Sequence, residues 1–575
     1  MKSPRRRLVP LPLRDVEIDG PFWSPRVQTN REVTIPAVYE EYKRTGRIGA
    51  FRLRWKPGRP RQPHVFWDSD VAKWLEGLCS TLVTHPDAAR RRLADRTARL
   101  IASAQQPDGY LNTHYTVVEP DARWGNLRDR HELYCAGHLM EAAVAHRQAT
   151  GSMVLLDALC RYADLIDRAF GRGRGKQRGY PGHEEIELAL VRLWRATGQR
   201  RYLNLAKYFI DERGREPHYF RLEAERRGEP SGPFMPGHFI NRQAHRPVRE
   251  QTEAVGHAVR AMYLYSGMAD VAAETGDAAL CAACRRLWRS ATERKMYVTG
   301  GVGARHQGEA FGDDWELPNA GAYAETCAAI GLVFFAHRML QADGDGRYAD
   351  VMERALYNGA LSGVSLDGRR FFYVNPLASD GSHHRREAFA CSCCPPNVVR
   401  LLASLGAYVY SRDDRALWVH LYLGGTATAT LAGQPVTLTV ATRYPWDGDV
   451  RATVATEKPV TFSLMLRVPG WCRRHTLRVN GRPVAARVSK GYARIRRRWS
   501  DGDRVDLSLA MPVERVAAHP LVEADAGKVA LQRGPVVYCL EGCDHPVDVR
   551  RIALADRSRL TARFDPRLLG GTVVI

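Results

Sequence analysis

The sequence predicts a large all-α domain followed by β-sandwich material. Three observations predict it. From about residue 15 to residue 410, apolar residues recur at three- and four-residue spacing. Near Arg412 the texture changes to short, alternating runs. Glycine-, proline- and aspartate-bearing turns punctuate both halves.

The helical stripe is clearest over 135–149, 184–197, 251–275, 323–342 and 349–359. Turn residues separate these segments, as in Gln106-Pro107-Asp108-Gly109 and Asp343-Gly344-Asp345-Gly346. Gly151, Gly198 and Gly276 each follow a Thr at a helix end, where a left-handed cap belongs. This recurrence suggests stacked helical hairpins. The strands follow at 417–423, 436–440, 460–468, 476–479 and 504–509. Asn480-Gly481 is a two-residue hairpin signal, and Asp501-Gly502 is a second turn. The last sixty residues mix strands at 528–532 and 536–540 with loops. The resulting domain plan is an N-terminal segment 1–14 available as a strand for the β-domain, a helical domain 15–412, a β-sandwich 413–516 and a second β-domain 517–575. Paired helices closed into a toroid leave a loop-lined pocket at one end, a natural home for a ligand.

Composition removes several function classes. Of 575 residues, 45% are hydrophobic and 26% charged, which excludes disordered, collagen-like and coiled-coil chains. No apolar run approaches the ~20 residues of a membrane helix. The basic start is followed by no apolar core of signal-peptide type, so a soluble cytoplasmic protein without a membrane partner is expected. The formal charge is +22. Its arginines are interspersed with acidic residues, however, and no nucleic-acid motif accompanies them, so no nucleic-acid partner is expected. Twelve cysteines in such a chain do not form a disulfide framework. Cys79, Cys135 and Cys160 read as core, and Cys281 and Cys284 as core thiols one turn apart.

The chemistry concentrates in Cys391-Ser-Cys393-Cys394-Pro395-Pro396-Asn397. Adjacent Cα atoms lie ~3.8 Å apart, short of the about 4.4–6.8 Å usual for a disulfide, so Cys393 and Cys394 are not expected to bridge each other. Pro395 biases Cys394 away from helical geometry. Pro396 then sits in the first turn of a helix over 397–410. Such a stiff turn can aim two sulfurs at one ion. An upstream segment, Tyr323-Ala-Glu325-Thr-Cys327, offers a carboxylate and a third thiol. Residues two apart do not share a helix face, but both reach one point from an irregular first turn. Glu325, Cys327, Cys393 and Cys394 together suit Zn²⁺. Inert buried thiols and a redox site stand beside that reading.

Several phrases together resemble glycoside hydrolase family 127. They are Tyr180-Pro-Gly-His183-Glu-Glu-Ile-Glu, Val248-Arg-Glu-Gln-Thr-Glu-Ala-Val-Gly-His257, Gly308-Glu309-Ala-Phe, Ala324-Glu325-Thr-Cys327-Ala and Cys391-Ser-Cys393-Cys394-Pro-Pro-Asn. Phe22-Trp-Ser-Pro-Arg, Asp68-Ser-Asp-Val-Ala-Lys-Trp and His131-Glu-Leu-Tyr-Cys-Ala-Gly-His138 agree with them. The resemblance runs in order along nearly the whole chain. It implies an (α/α)6 barrel with β-sandwich domains and the activity of a retaining β-L-arabinofuranosidase on an arabinofuranoside or small oligosaccharide. It implies zinc on Glu325, Cys327, Cys393 and Cys394, with Cys393 as nucleophile and Glu309 as acid/base. It implies sugar contacts from His138, His183, His257 and Tyr373. It admits a homodimer. Cys391 receives no role. The chain stops in a strand-like run at Ile575, earlier than family members, so the last β-domain is expected to be short of its full size.

Physical chemistry makes this assignment sensible. Most glycosidases pair two carboxylates; here a metal-held thiolate takes the place of one. One Zn²⁺ with a carboxylate and three thiolates keeps a net negative charge, which supports a developing oxocarbenium ion. It would also keep Glu309 protonated as the acid. Read without the family, Glu309 is a loop carboxylate, the three histidines are helix-end or core residues, and Tyr373 is a core aromatic. Two rival functions remain: a sugar epimerase or isomerase on the same toroid, and a non-catalytic zinc-containing carbohydrate-binding protein.

Overall fold

The computed structural model describes residues 8–229 and 236–575. Six inner helices form the frame: α1 (Trp67–Thr84), α2 (Glu132–Thr150), α3 (Ile186–Thr197), α4 (Ala258–Thr275), α5 (Thr326–Asp343) and α6 (Cys394–Ala403). Each packs on the next in chain order, and α6 returns to pack on α1, so the ring closes. These helices are apolar on nearly every side; α5, for instance, buries Ile330, Leu332, Val333 and Phe335 in succession. That pattern marks helices enclosed by others. The outer layer is amphipathic and pairs with the inner one through Ile35–Thr45, Ala88–Ser103, Val154–Ala169, Arg200–Glu212, Ala278–Arg289 and Gly346–Arg354. Left-handed glycines 151, 198 and 276 close α2, α3 and α4.

Two sheets follow. One has six strands in the order Val9–Pro10, Tyr410–Arg412, Ala416–Val419, Val460–Arg467, Tyr492–Trp499 and Val488–Ser489. The other has seven: Arg482–Pro483, His475–Val479, Arg504–Leu509, Asp449–Thr456, Gln434–Thr442, Gly425–Leu431 and Val16–Ile18. All pairings in them are antiparallel except Ala416–Val419 with Val460–Arg467. Alternate residues such as Val436, Leu438 and Val440 are buried, as expected for a sheet with one solvated face. Asn480-Gly481 turns a hairpin that pairs Val479 with Arg482, with both turn residues at positive φ. A three-stranded sheet of Val513–Val516, Ala530–Arg533 and Val536–Tyr538 completes the order before a final hairpin, Arg563–Asp565 with Thr572–Val574.

Two local readings need correction. Val16–Ile18, inside the range read as helical, is a strand against Gly425–Leu431; its three residues are too few for periodicity to register. Cys394 begins α6 rather than standing outside it, with Pro395 and Pro396 in the first turn. A first turn needs no amide donors, so consecutive prolines are tolerated there.

The sandwich is fastened to the barrel by a buried charge cluster. Arg467 is fully buried; it pairs with Asp350 at 2.6 Å and also with Glu353. Tyr444 donates to Glu353 at 2.6 Å, which helps satisfy that carboxylate. Among the described residues no helix is long and apolar enough to cross a membrane.

Candidate active site

All six inner helices start at the same end of the ring, and their first turns wall a cavity of about 390 Å³. Asp70 comes from α1, Tyr134 from α2 and His131 from its N-cap, His183 from the turn before α3, and Arg260 and Tyr263 from α4 with His257 at its N-cap. Glu325 and Cys327 come from α5, and Cys393 from the start of α6. Six positive helix ends therefore point toward this space, a setting that favours negative charge.

Glu325 is the N-cap of α5 with extended backbone, while Cys327 lies in the first turn. This break in helical geometry is how residues two apart come to face one point. One ligand atom from each of Glu325, Cys327, Cys393 and Cys394 lies within 4.8 Å of the others. Cys327 Sγ is 3.3 Å from Cys394 Sγ, and Glu325 Oε1 is 3.4 Å from Cys393 Sγ. Burial and the neighbouring Cys393 push the Glu325 carboxyl well above its ordinary range. Burial and the adjoining sulfurs likewise push the Cys394 thiol up. Glu325 Oε2 is buried with no hydrogen-bond partner. A buried carboxyl with an orphaned oxygen beside three converging sulfurs suits a divalent cation, and the sulfurs suit zinc.

The cysteine turn is held from behind. Tyr42 Oη lies 3.2 Å from the Ser392 carbonyl, and Arg47 donates to the Ala390 carbonyl at 2.8 Å while pairing with Asp70 at 2.9 Å. Tyr373 Oη lies 3.1 Å from Cys393 Sγ and 3.7 Å from Cys391 Sγ. Cys391 thus lines the same cavity but stands outside the close quartet.

Glu309 faces this group from a short turn, Gln307–Glu309. His257 Nδ1 accepts the Val259 backbone N–H at 3.2 Å, so the neutral ring carries its proton on Nε2. That Nε2 is 2.7 Å from Glu309 Oε2 and donates to it. Burial alone would raise the Glu309 pKa, but His257, Tyr323 and the nearby Arg260 charge outweigh it and bring it to about 2. The expectation that Glu309 rests protonated took the negative metal site as its cause; these donors act in the opposite direction.

His183 donates from Nδ1 to its neighbour's carbonyl, Glu184 O, at 3.0 Å. Its Nε2 is therefore left as an acceptor. His183, His257 and Tyr373 all line the cavity, but His138 does not. It is fully buried behind Tyr134 and Tyr263, at ring separations of 4.5 and 6.1 Å, and pairs with Glu185 at 3.0 Å. The histidine that reaches the wall from this phrase is His131. His138 came from the Ala-Gly-His phrase of the resemblance; α2 starts at Glu132, so His138 lies in its second turn, while the N-cap His131 and first-turn Tyr134 reach the cavity. Asn241, Arg260 and His306 also line the cavity and carry no motif signal of their own. A second cavity, of about 410 Å³, is lined mainly by alanines, the thiols of Cys281 and Cys284, and the Arg285–Asp343 ion pair, whose charges satisfy each other.

The turn that presents His183 depends on Gly182. A Cβ there would stand 1.9 Å from the Arg128 carbonyl oxygen. Gly182→Ala is expected to force the two backbones apart and destabilise the fold by about 1–3 kcal/mol, read from denaturant unfolding. Unchanged stability would mean the turn has room that this contact denies.

Comparison with known proteins agrees with this geometry. The profile described as the β-L-arabinofuranosidase GH127 catalytic domain matches residues 15–407. The GH127 middle-domain profile matches 416–511, and the family 127 C-terminal domain matches 513–568. A curated relative from Bifidobacterium longum subsp. longum, the non-reducing end β-L-arabinofuranosidase, is 41% identical over 538 residues, covering 88% of this chain and 80% of its own. The crystal structure of a GH127 β-L-arabinofuranosidase from Geobacillus stearothermophilus T6 superposes with a TM-score of 0.94 at 50% identity, covering 97% of this chain and 91% of that one. A further GH127 β-arabinofuranosidase structure gives 0.92 at 40% identity, covering 99% and 91%. With its helical catalytic domain and both following domains matched in order, the chain belongs to glycoside hydrolase family 127 and is a glycoside hydrolase.

Proposed function

We propose that the chain is a retaining β-L-arabinofuranosidase. In this reading Cys393 is the nucleophile, Glu309 the acid/base, and Glu325, Cys327, Cys393 and Cys394 the zinc ligands. The observation that carries the reading is the convergence of those four ligands within 4.8 Å, with Cys393 in the wall of a cavity that Glu309 also lines. The name and high identity of the Bifidobacterium relative support the sugar assignment. The cavity volume of about 390 Å³ suits a small saccharide end rather than the middle of a polymer.

Zinc, when bound, would keep its three sulfurs as thiolates and so supply a nucleophile available at neutral pH. The remaining chemistry belongs to the chain. Cys393 Sγ attacks the anomeric carbon as the leaving oxygen takes a proton from Glu309, giving a thioglycosyl enzyme. Glu309 enters this step in its acid form; after it, as a carboxylate beside His257, it is ready to deprotonate water. That water attacks the anomeric carbon, releases the sugar and restores Cys393. Two inversions retain configuration. His183 Nε2, an acceptor, can receive a sugar hydroxyl, and His131, His257 and Tyr373 present further polar edges. His138 supports the wall through Tyr134.

The expected result is about one zinc per chain and hydrolysis of an aryl β-L-arabinofuranoside that a chelator suppresses and added zinc restores. Cys327→Ser or Cys394→Ser should lose metal and lower the melting temperature, because ligation contributes to folding. Elemental analysis finding no metal in freshly reduced protein would remove the zinc site. Zinc without turnover across a panel of aryl glycosides would favour a binding protein instead.

A further inference from the structure

Glu309 has a backbone that needs an explanation. Its φ is +52° and that of Gly308 is +71°, so two consecutive residues sit in the left-handed region. Glycine adopts this freely, but a glutamate there is strained. Relaxing Glu309 to ordinary negative φ would remodel the turn that carries its carboxylate. Some contact must hold the turn.

Within the turn the Glu309 N–H donates to the His306 carbonyl at 3.1 Å; the contact from outside it comes from Asn241, the last residue of the short helix Pro236–Asn241. Asn241 Nδ2 donates to the Gly308 carbonyl at 2.7 Å, the oxygen of the 308–309 peptide. Its Oδ1 accepts from Arg260 Nη1 at 2.7 Å. A guanidinium only donates and a carbonyl only accepts, so the two partners fix the amide's orientation. Asn241 O accepts the His257 N–H at 3.1 Å, so the same residue is tied to the donor on the Glu309 carboxylate. A Cβ on Gly308 would stand 2.8 Å from Asn241 Nδ2, so the close approach itself requires glycine there.

We propose that Asn241 is the positioning residue for Glu309. It holds the 308–309 peptide so that the carboxylate faces the cavity beside His257, and Arg260 holds Asn241 in turn. The inference rests on Glu309 being the acid/base. It assigns Asn241 to proton transfer rather than to sugar binding.

Asn241→Asp tests it. The variant keeps the shape and an oxygen for Arg260 but turns an acceptor toward the Gly308 carbonyl. Asn241→Ala, which adds no charge, is measured beside it in case the new carboxylate disturbs folding. The assay is kcat/KM on aryl β-L-arabinofuranosides of graded leaving-group pKa, for both variants, Glu309→Gln and the double variant Asn241→Asp/Glu309→Gln. The loss should grow with leaving-group pKa, reaching on the order of 10–10²-fold for the poorest and staying within about threefold for the best. In the double variant Asn241→Asp should add no more than about threefold to the Glu309→Gln loss, because both changes remove the same function. An equal loss for every leaving group, a rise in KM alone, or full additivity would overturn the inference. A steep dependence for Glu309→Gln with flat ones for both Asn241 variants would overturn it while leaving Glu309's role intact. A flat dependence for Glu309→Gln would overturn that role itself, and the inference with it.

Discussion

Cys393→Ser is expected to abolish turnover, by on the order of 10⁴-fold or more, even on an aryl β-L-arabinofuranoside whose leaving group departs unaided. Two features of the site make the demand this strict. Cys393 is the half-buried member of the sulfur set in the cavity wall, while Cys327 and Cys394 are buried. A serine hydroxyl is also a far poorer nucleophile than a metal-held thiolate. Steady-state kinetics decide the matter, with elemental analysis on the same sample to show that Glu325, Cys327 and Cys394 still hold metal. A Cys393→Ser enzyme with near-normal rates would eliminate the thioglycosyl course and return the cysteines to a structural role.

Glu309→Gln should cost on the order of 10²–10⁴-fold, with zinc retained. Glutamine preserves an oxygen to accept the His257 Nε2–H, so the turn should keep its place, but it has no carboxyl proton to move. The loss should shrink as the leaving group becomes more acidic, because such a group needs little protonation. A loss of metal along with rate would mean that Glu309 belongs to the ligand set after all. Its carboxylate does lie within 4.8 Å of ligand atoms on Glu325 and His257, so that outcome has a clear geometric meaning.

The two predictions were reachable from sequence to different degrees. Adjacent cysteines followed by two prolines are unusual enough to mark a site by themselves, and Glu325 with Cys327 supplied complementary ligands. Glu309 has no such local signature; only the family phrase around it singled it out. The donors around its carboxylate, His257 and Tyr323, come from other segments and were not legible locally. The exchange of His138 for His131 has a similarly simple cause. Both lie in one phrase, and the resemblance pointed to the His of Ala-Gly-His, which lies one turn deeper in α2 than the cavity wall. Asn241 and Arg260 were invisible because nothing in a lone asparagine or arginine announces that it braces a turn some sixty residues away.

By itself the sequence determined what depends on near neighbours. Helical periodicity, glycine caps, the Asn480-Gly481 hairpin and the change to strands at about residue 412 all follow from interactions within a few positions. So does the stiffness of the Cys393-Cys394-Pro395-Pro396 turn. The tertiary structure alone decided which first turns face one cavity, because that depends on α6 closing the ring against α1. It decided that Glu325 and Cys393, 68 residues apart, lie at 3.4 Å, and that His257 donates to Glu309 at 2.7 Å. The physical reason is one of range. Backbone propensities act over a turn or two, whereas hydrogen bonds and charges in a buried site act between whichever groups the closed ring brings within a few ångströms.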